Sequence, residues 1–331
     1  MRAAYYERQG PPHDVIRIGD VPTPAAGPGE VRVRLHASAV NPSDCNRRAG
    51  MRYAMEAARV VPNSDGAGVV DQAGEGVPTD WIGRRVWLYN GQRGGRVMGT
   101  AAEWIALPLD LVTALPDDVG FEAGACLGIP AMTAHRAVFA DGPVDGKTVL
   151  VTGGAGAVGH YAVQLAAWAG ARVIATASSE AKAAHARAAG ASLVIDYKRE
   201  DVAAKVIEFT QGAKGGPGVD RIVEVDFGGN LAVSLKVLKL NGAIAAYASN
   251  GAREPAVPFY EFMRNNVTVR SILLNSCPHA ARRQAQADIS RWLAAGKAMH
   301  AIAVRFPLDR TADAHALVEA GGKIGSVIVQ P

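Results

Sequence analysis

Cysteine is scarce in this chain. Cys45, Cys126 and Cys277 stand far apart among 331 residues, which argues against both a disulfide framework and a Cys-rich zinc lobe. No apolar run is long enough to span a bilayer. The opening, MRAAYYERQGPPHD, lacks the apolar core of a signal peptide. The expectation is a cytoplasmic protein with free thiols. Charge of one sign is not concentrated either. Lys plus Arg number 35 against 31 Asp plus Glu, and the net +4 is spread along the chain. Without a basic cluster the chain is not expected to bind nucleic acid. Internal repeats and low-complexity tracts are missing too. What the chain does have is length and apolar content. At 331 residues and 49% hydrophobic it is long for one core, so two domains are the default.

One stretch organises the rest: KTVLVTGGAGAVGHYAVQLAAWAGARVIATA, residues 147–177. Thr148 to Thr152 is β-branched and apolar without a helical period, which suits a buried parallel strand. Gly154-Ala155-Gly156-Ala157-Val158-Gly159 then fits G-x-G-x-x-G. Glycines there let the chain turn tightly and bring backbone N–H groups close to a pyrophosphate. A helix from about His160 to Ala169 aims its N-terminal dipole at that phosphate, and Ala171 to Ala177 is the next strand. A glycine-rich turn alone is often only a turn. Here the flanking strand, helix and second strand stand where a dinucleotide-binding βαβ unit needs them.

Which dinucleotide it takes follows from the end of the second strand. NAD-selective folds place Asp or Glu there for the ribose 2′-hydroxyl; this chain has Ala177, then Ser178 and Ser179. The missing acid removes repulsion against a 2′-phosphate. Two hydroxyls and Lys182 supply donors, and Tyr197, after the third strand, adds a phenol. For each residue alone the bland alternative is about even: Ser179 as a helix cap, Lys182 as a solvated charge. Glu180 lies past the strand end. The expected cofactor is NADPH.

Residues 1 to about 122 read as mostly β. Val31 to Ala37 alternates apolar and polar, and Gly66 to Val70, Arg85 to Tyr89 and Glu103 to Ala106 are further short strands. A small barrel-like or sandwich-like domain is expected. From Ala123 the texture changes. Ala-rich helices alternate with the strands Leu193 to Asp196, Val219 to Val225, Ala243 to Tyr247 and Val267 to Leu274, a pattern that implies a parallel sheet covered on both faces. A longer helix runs from about Pro278 to Ala295, and Val327 to Val329 forms a last strand that returns to the first domain.

Taken together these pieces resemble the zinc-lacking branch of the medium-chain dehydrogenase/reductase superfamily, the NADPH:quinone oxidoreductases and zeta-crystallin. The matching residues run nearly end to end. They are Asn41-Pro42-Ser43-Asp44, Ser64 to Val70, Gly83 to Val86, Gly128 to Ala134, the Gly154 to Gly159 turn, Gly190-Ala191, Asp196-Tyr197, Gly218-Val219-Asp220 and Gly325-Ser326. The resemblance implies a GroES-like, mostly β catalytic domain made from residues 1–122 and 276–331. A Rossmann domain at 123–275 would be inserted in it, with cofactor and substrate in the interdomain cleft. It implies that Asn41 and Thr133 lie near the nicotinamide, with Tyr247, Ser249 and Ser326 also lining the cofactor site. It implies a homodimer through Val267 to Leu274.

Zinc-dependent relatives carry G-H-E where this chain has Asn63-Ser64-Asp65. Cys45 stands close to a ligand position, but catalytic zinc needs three protein ligands, so no metal is expected. Without a Lewis acid, an alkoxide has no stabiliser. A quinone or an α,β-unsaturated ketone instead spreads incoming charge onto oxygen, which needs only hydrogen-bond donors and a proton. Asn41, Asp44 and Tyr53 are the catalytic candidates. Many relatives have a Tyr two residues after the Asp of N-P-x-D; here that position is Asn46. Tyr53 is the nearby substitute, although an ordinary packed or surface tyrosine is its commoner reading. Arg47, Arg48 and Arg52 share the stretch and read first as solvated charges. The leading expectation is an NADPH-dependent quinone reductase. The alternatives are a reductase of enones or alkenals, and a non-catalytic NADPH-binding, RNA-binding protein like zeta-crystallin.

Overall fold

The computed structural model describes residues 1–51, 54, 55 and 57–331. Arg52, Glu56 and the candidate proton donor Tyr53 fall outside the described residues. Two compact units divide the chain: Met1–Ile129 with His300–Pro331, and Pro130–Met299.

Both boundaries lie later than the sequence pattern suggests. The helix Phe121–Ala125 packs on the first unit, close enough that a Cβ on Gly124 would meet the Cβ of Ala67 at 3.0 Å. Glu122 pairs with Arg305 at 2.7 Å. The helix His279–Ala294, assigned by sequence to the first domain, belongs to the second. Its Asp288 bonds His135 at 2.8 Å, and its buried Trp292 meets Tyr161 edge-on at 5.9 Å. A texture change marks where helices begin, not which core they cover.

In the first unit the strand Glu30–Val40 is central. Its alternating side chains put Val31, Val33 and Leu35 inside. It pairs antiparallel with Asp65–Ala73, Trp104–Pro108 and Ser326–Gln330. Ser326–Gln330 pairs parallel with Ile302–Pro307, and Arg85–Leu88 and Val112–Ala114 extend the seven-stranded sheet on the other side.

The second unit holds a six-stranded, all-parallel sheet. Its order is Leu193–Asp196, Arg172–Ala177, Thr148–Val151, Val219–Glu224, Leu238–Ala246, Thr268–Ser271. The chain winds outward for three strands, then jumps back beside the first. That reversal, between Thr148–Val151 and Val219–Glu224, is where doubly wound sheets bind ligands, at the carboxyl ends of the strands. Ile174, Leu150, Ile222 and Ile244 stand side by side in register and buried. Each contributes about 1.5–3 kcal/mol by leaving water. Among the described residues no helix is long and apolar enough to cross a membrane.

A buried histidine makes the first unit sensitive to acid. His315, on the helix Thr311–Ala320, is fully buried and bonds the side-chain oxygen of Asn63 at 2.9 Å. An amide oxygen only accepts, so Nε2 carries the proton. Burial pulls the imidazole down to about 4. The unfolded chain protonates first, near the ordinary value of about 6.5. Stability is therefore full above that pH and is lost as pH falls from about 6.5 toward about 4, by on the order of 3 kcal/mol. Urea midpoints measured across this window should drop in the wild type. His315→Gln should flatten the part of the drop that His315 causes; an unchanged slope would refute the assignment.

Candidate active site

In the second unit the glycine corner joins the strand Thr148–Val151 to the helix Ala157–Trp168. Gly153, just before the six-residue pattern, takes a positive φ of 64°. Its N–H donates to Thr176 Oγ1 and that of Gly154 to Thr176 O, both at 3.0 Å, which ties the turn to the neighbouring strand. Gly156 is the exposed N-cap, and no side chain caps the helix there. Gly159 is the close-packing glycine: a Cβ on it would lie 2.2 Å from the carbonyl oxygen of Gly153. The helix thus starts three residues before the expected His160, so Ala157, Val158 and Gly159 form its first turn. Ala155 is buried beneath them. A helix start with uncapped N–H groups is an anion site by construction.

The end of Arg172–Ala177 gathers donors. Lys182 Nζ donates to Ser178 Oγ at 3.2 Å, and Ser179 Oγ accepts the Lys182 N–H at 3.4 Å as helix N-cap. The Tyr197 N–H donates to the Ala177 carbonyl at 3.2 Å while its side chain is half exposed. Glu180 is paired with Arg187. Glu180 therefore has its own cation, and Asp196, in register with Ala177 on the neighbouring strand, accepts the Lys198 N–H at 3.0 Å and lies 3.8 Å from Arg199. Ser178, Ser179 and Lys182 gather at the strand end, with the Tyr197 backbone tied to Ala177.

At the carboxyl ends next to the chain reversal, Glu224 is fully buried. It accepts from Thr152 Oγ1 and Asn230 Nδ2 at 2.8 Å and from the Asp226 N–H at 2.7 Å. Burial holds its carboxyl above the usual range. Tyr247 follows on the next strand. Its N–H donates to the Glu224 carbonyl, and burial and the Glu224 charge push its phenol up. Ser249 Oγ accepts the Gly228 N–H at 3.0 Å and donates to the Ala252 carbonyl, so this hydroxyl orders its own loop. Thr133 is buried on the helix Gly128–Phe139.

The first unit contributes a buried polar cluster at the helix Pro42–Arg48. Asn41 and Asp44 form a capping box in which Asp44 Oδ2 accepts the Asn41 N–H at 2.9 Å. Asp44 Oδ1 accepts from Ser64 Oγ at 2.7 Å and Arg93 Nη2 at 2.9 Å. Asp44 is thus a well-partnered anchor. Asn41 Nδ2 donates to Asp65 at 2.7 Å. Arg48, read from sequence as a solvated charge, is fully buried and binds the Gly10 carbonyl and Glu319. Its partners are too distant in sequence to be foreseen. Ser326 is buried with its hydroxyl on the Cys126 thiol, which burial pushes up to about 12.

Sequence reasoning missed Gly153, Arg93, Glu224 and the use of Asp65. A glycine immediately before the first glycine of the pattern is a readable signal for Gly153; the other three need contacts only the fold supplies. The donor set beside Asn41 does not suit a zinc ion. Cys45 Sγ faces the His315 carbonyl at 3.7 Å, and burial pushes the thiol far up, against the thiolate that zinc requires. Asp65 is enclosed, and burial and the charge of Asp44 hold it well above the carboxylate range. Among the described residues no group of three or more His, Cys, Asp or Glu is placed to hold a metal.

A Rossmann sheet with a phosphate-type glycine corner, inserted in a GroES-like unit, defines a medium-chain dehydrogenase/reductase. Residues 27–117 match the alcohol dehydrogenase GroES-like domain, and residues 157–292 match a family described as zinc-binding dehydrogenase. The quinone oxidoreductase of Rattus norvegicus is 31% identical over 99% of this chain and 97% of its own. The 2-haloacrylate reductase of a Burkholderia species is 31% identical over 100% and 99%. Among solved structures, an NAD-dependent alcohol dehydrogenase superposes with a TM-score of 0.88 at 30% identity over all of both chains. A mycobacterial protein complexed with NADPH does so at 0.83 and 29%, again over all of both chains. The chain belongs to the quinone oxidoreductase family of the medium-chain dehydrogenases/reductases.

Proposed function

We propose that this oxidoreductase is zinc-independent, takes NADPH and delivers hydride to a quinone. The observation that carries the cofactor is the carboxyl end of Arg172–Ala177. The strand itself ends on Ala177, followed by Ser178, rather than on an acid, and the Lys182 ammonium leans on the Ser178 hydroxyl at 3.2 Å, a cation-and-hydroxyl set suited to a 2′-phosphate. When bound, the nicotinamide supplies the hydride. The chain's own residues do the rest. Gly153, Gly154 and Gly156 spend their N–H groups shaping the turn, the first-turn N–H groups of Ala157 to Gly159 face the pyrophosphate, and Ser178, Ser179, Lys182 and Tyr197 hold the 2′-phosphate. The family resemblance assigns Asn41, Thr133, Tyr247, Ser249 and Ser326 to the nicotinamide end. The quinone oxygen gathers negative charge and is met by a fixed donor, the Asn41 amide. Asp44, with its oxygens already engaged, orients this loop rather than giving a proton, which leaves Tyr53 or solvent for that step. Likeness to the rat quinone oxidoreductase supports the acceptor class. Likeness to the 2-haloacrylate reductase supports a second reading, reduction of an activated alkene at the same site. Among the described residues the strand Thr268–Ser271 ends the sheet with an unpaired edge; it carries exposed Val269, exposed Leu273 follows it, and it suits pairing with a second copy of the chain.

Steady-state oxidation of NADPH and NADH with a panel of quinones and enones tests this. Quinones should turn over fastest, with NADPH. Lys182→Ala should raise KM for NADPH by about 10- to 100-fold and leave NADH within about threefold. Equal losses for both cofactors would remove Lys182 from its role. Tight NADPH binding without turnover of any acceptor would favour a binding protein instead.

A further inference from the structure

Asp65 is fully buried at the start of the strand Asp65–Ala73, directly against a glycine. A Cβ on Gly128 would lie 2.2 Å from its carboxyl carbon, so this carboxyl occupies the space of a missing side chain. Its Oδ2 accepts two hydrogen bonds, from Asn41 Nδ2 at 2.7 Å and from the Ile129 N–H at 2.8 Å. Its Oδ1 is buried with no hydrogen-bond partner.

These contacts join three separate segments at one oxygen: the N-cap of Pro42–Arg48, the start of Asp65–Ala73 and the start of Gly128–Phe139. An ionised carboxylate with one bare oxygen in this place would be costly. Desolvation and the neighbouring Asp44 charge both favour the neutral acid, opposed more weakly by Arg93. A neutral acid has one carbonyl-type oxygen that accepts and one hydroxyl. With Oδ2 accepting twice, the hydroxyl falls on Oδ1. The nitrogen of the Asn41 amide faces Oδ2. One of its two N–H bonds is spent there, and the direction of the other is set.

We propose that Asp65 is a positioning residue for hydride transfer: its Oδ2 fixes which way the Asn41 amide points, and so where the second Asn41 N–H meets the bound molecules. This rests on the reading in which Asn41 faces the nicotinamide and acceptor. Misalignment of a donor at a reacting centre by about 1 Å costs on the order of 100-fold in rate. Binding of the adenine and phosphate parts of the cofactor, assigned to residues of the other unit, should be spared.

The test is single-turnover hydride transfer to a quinone by the full chain, with NADPH Kd and Tm measured alongside. Asp65→Ala should slow transfer by about 30- to 100-fold and shift NADPH Kd by less than about threefold. Asp65→Asn has a neutral oxygen able to accept both N–H groups and should restore the rate to within about threefold of wild type. Asn41→Ala should be slow, and the double variant no slower than the slower single one. Asp65→Leu fills the same volume without an acceptor and replaces the alanine variant if that one does not fold. The proposal is overturned if Asp65→Asn is as slow as Asp65→Ala, if losses at Asp65 and Asn41 multiply, or if Asp65→Ala and Asp65→Leu keep wild-type rates. A slow Asn41→Ala beside a fast Asp65→Ala removes only Asp65. A fast Asn41→Ala removes both roles and leaves NADPH-dependent turnover itself standing.

Discussion

Gly159→Ala is expected to weaken NADPH binding by about 100-fold or more. The new Cβ would stand 2.2 Å from the Gly153 carbonyl oxygen, 2.9 Å from its carbon and 3.0 Å from the Gly154 Cα. All three are backbone atoms of a turn held to Thr176 by two hydrogen bonds, so none yields as a flexible side chain would. The helix Ala157–Trp168 must move off the turn instead, and its first N–H groups move with it. Gly156→Ala is the control. Its Cβ would meet only the Gly153 oxygen, at 3.3 Å, and its φ of −73° is ordinary. That variant should keep the wild-type Tm, and any affinity it loses reports crowding of the phosphate rather than disrupted packing. Fluorescence titration with NADPH and thermal unfolding of both variants separate the two effects. Wild-type affinity in Gly159→Ala would mean that the corner is not the dinucleotide site.

The corner was legible in sequence because it sits where hydrophobic periodicity changes from a strand's to a helix's, and because glycine is needed there for two different reasons. Its position in the helix was not. The pattern suggested His160 as the start, whereas the last three residues of G-x-G-x-x-G already form the first turn. The donor cluster at Ser178, Ser179, Lys182 and Tyr197 was legible for a similar reason, since three of the four are close neighbours in the chain. The first unit's polar cluster was legible only in part. Asn41 and Asp44 share one helix start, and their motif named them. Their partners Ser64, Asp65 and Arg93 lie 20, 24 and 49 residues away. Whether Asp44 is a free acid or a satisfied anchor is decided by those long-range partners, so a local pattern could propose its chemistry but not its state. Arg48 shows the same thing more sharply: its carboxylate partner Glu319 is 271 residues away.

Arg221→Met is the stability change with the largest expected effect, about 3–5 kcal/mol. The strand Val219–Glu224 reads from sequence as a plain apolar strand, yet Arg221 in its middle is 2% exposed. Its guanidinium donates to the carbonyls of Val138, Asp141 and Gly142, the last two at 2.7 and 3.0 Å. These are the final carbonyls of the helix Gly128–Phe139 and the turn beyond it, groups that a helix end leaves without intrahelical partners. A rigid planar donor with five N–H groups can serve three of them at once; Met fills the volume and serves none. The neighbouring Arg270→Met provides the contrast. Arg270 is 41% exposed and pairs with the side chain of Asp141, so its loss should cost less than about 1 kcal/mol. Urea unfolding of the two variants should therefore differ by several-fold in the stability lost. Equal losses would show that the cap is held by charge attraction to Asp141 and not by hydrogen bonds to the carbonyls. Because Thr133 rides on the same helix, Arg221→Met should also lower hydride transfer more than NADPH affinity, with Arg270→Met leaving both near wild type.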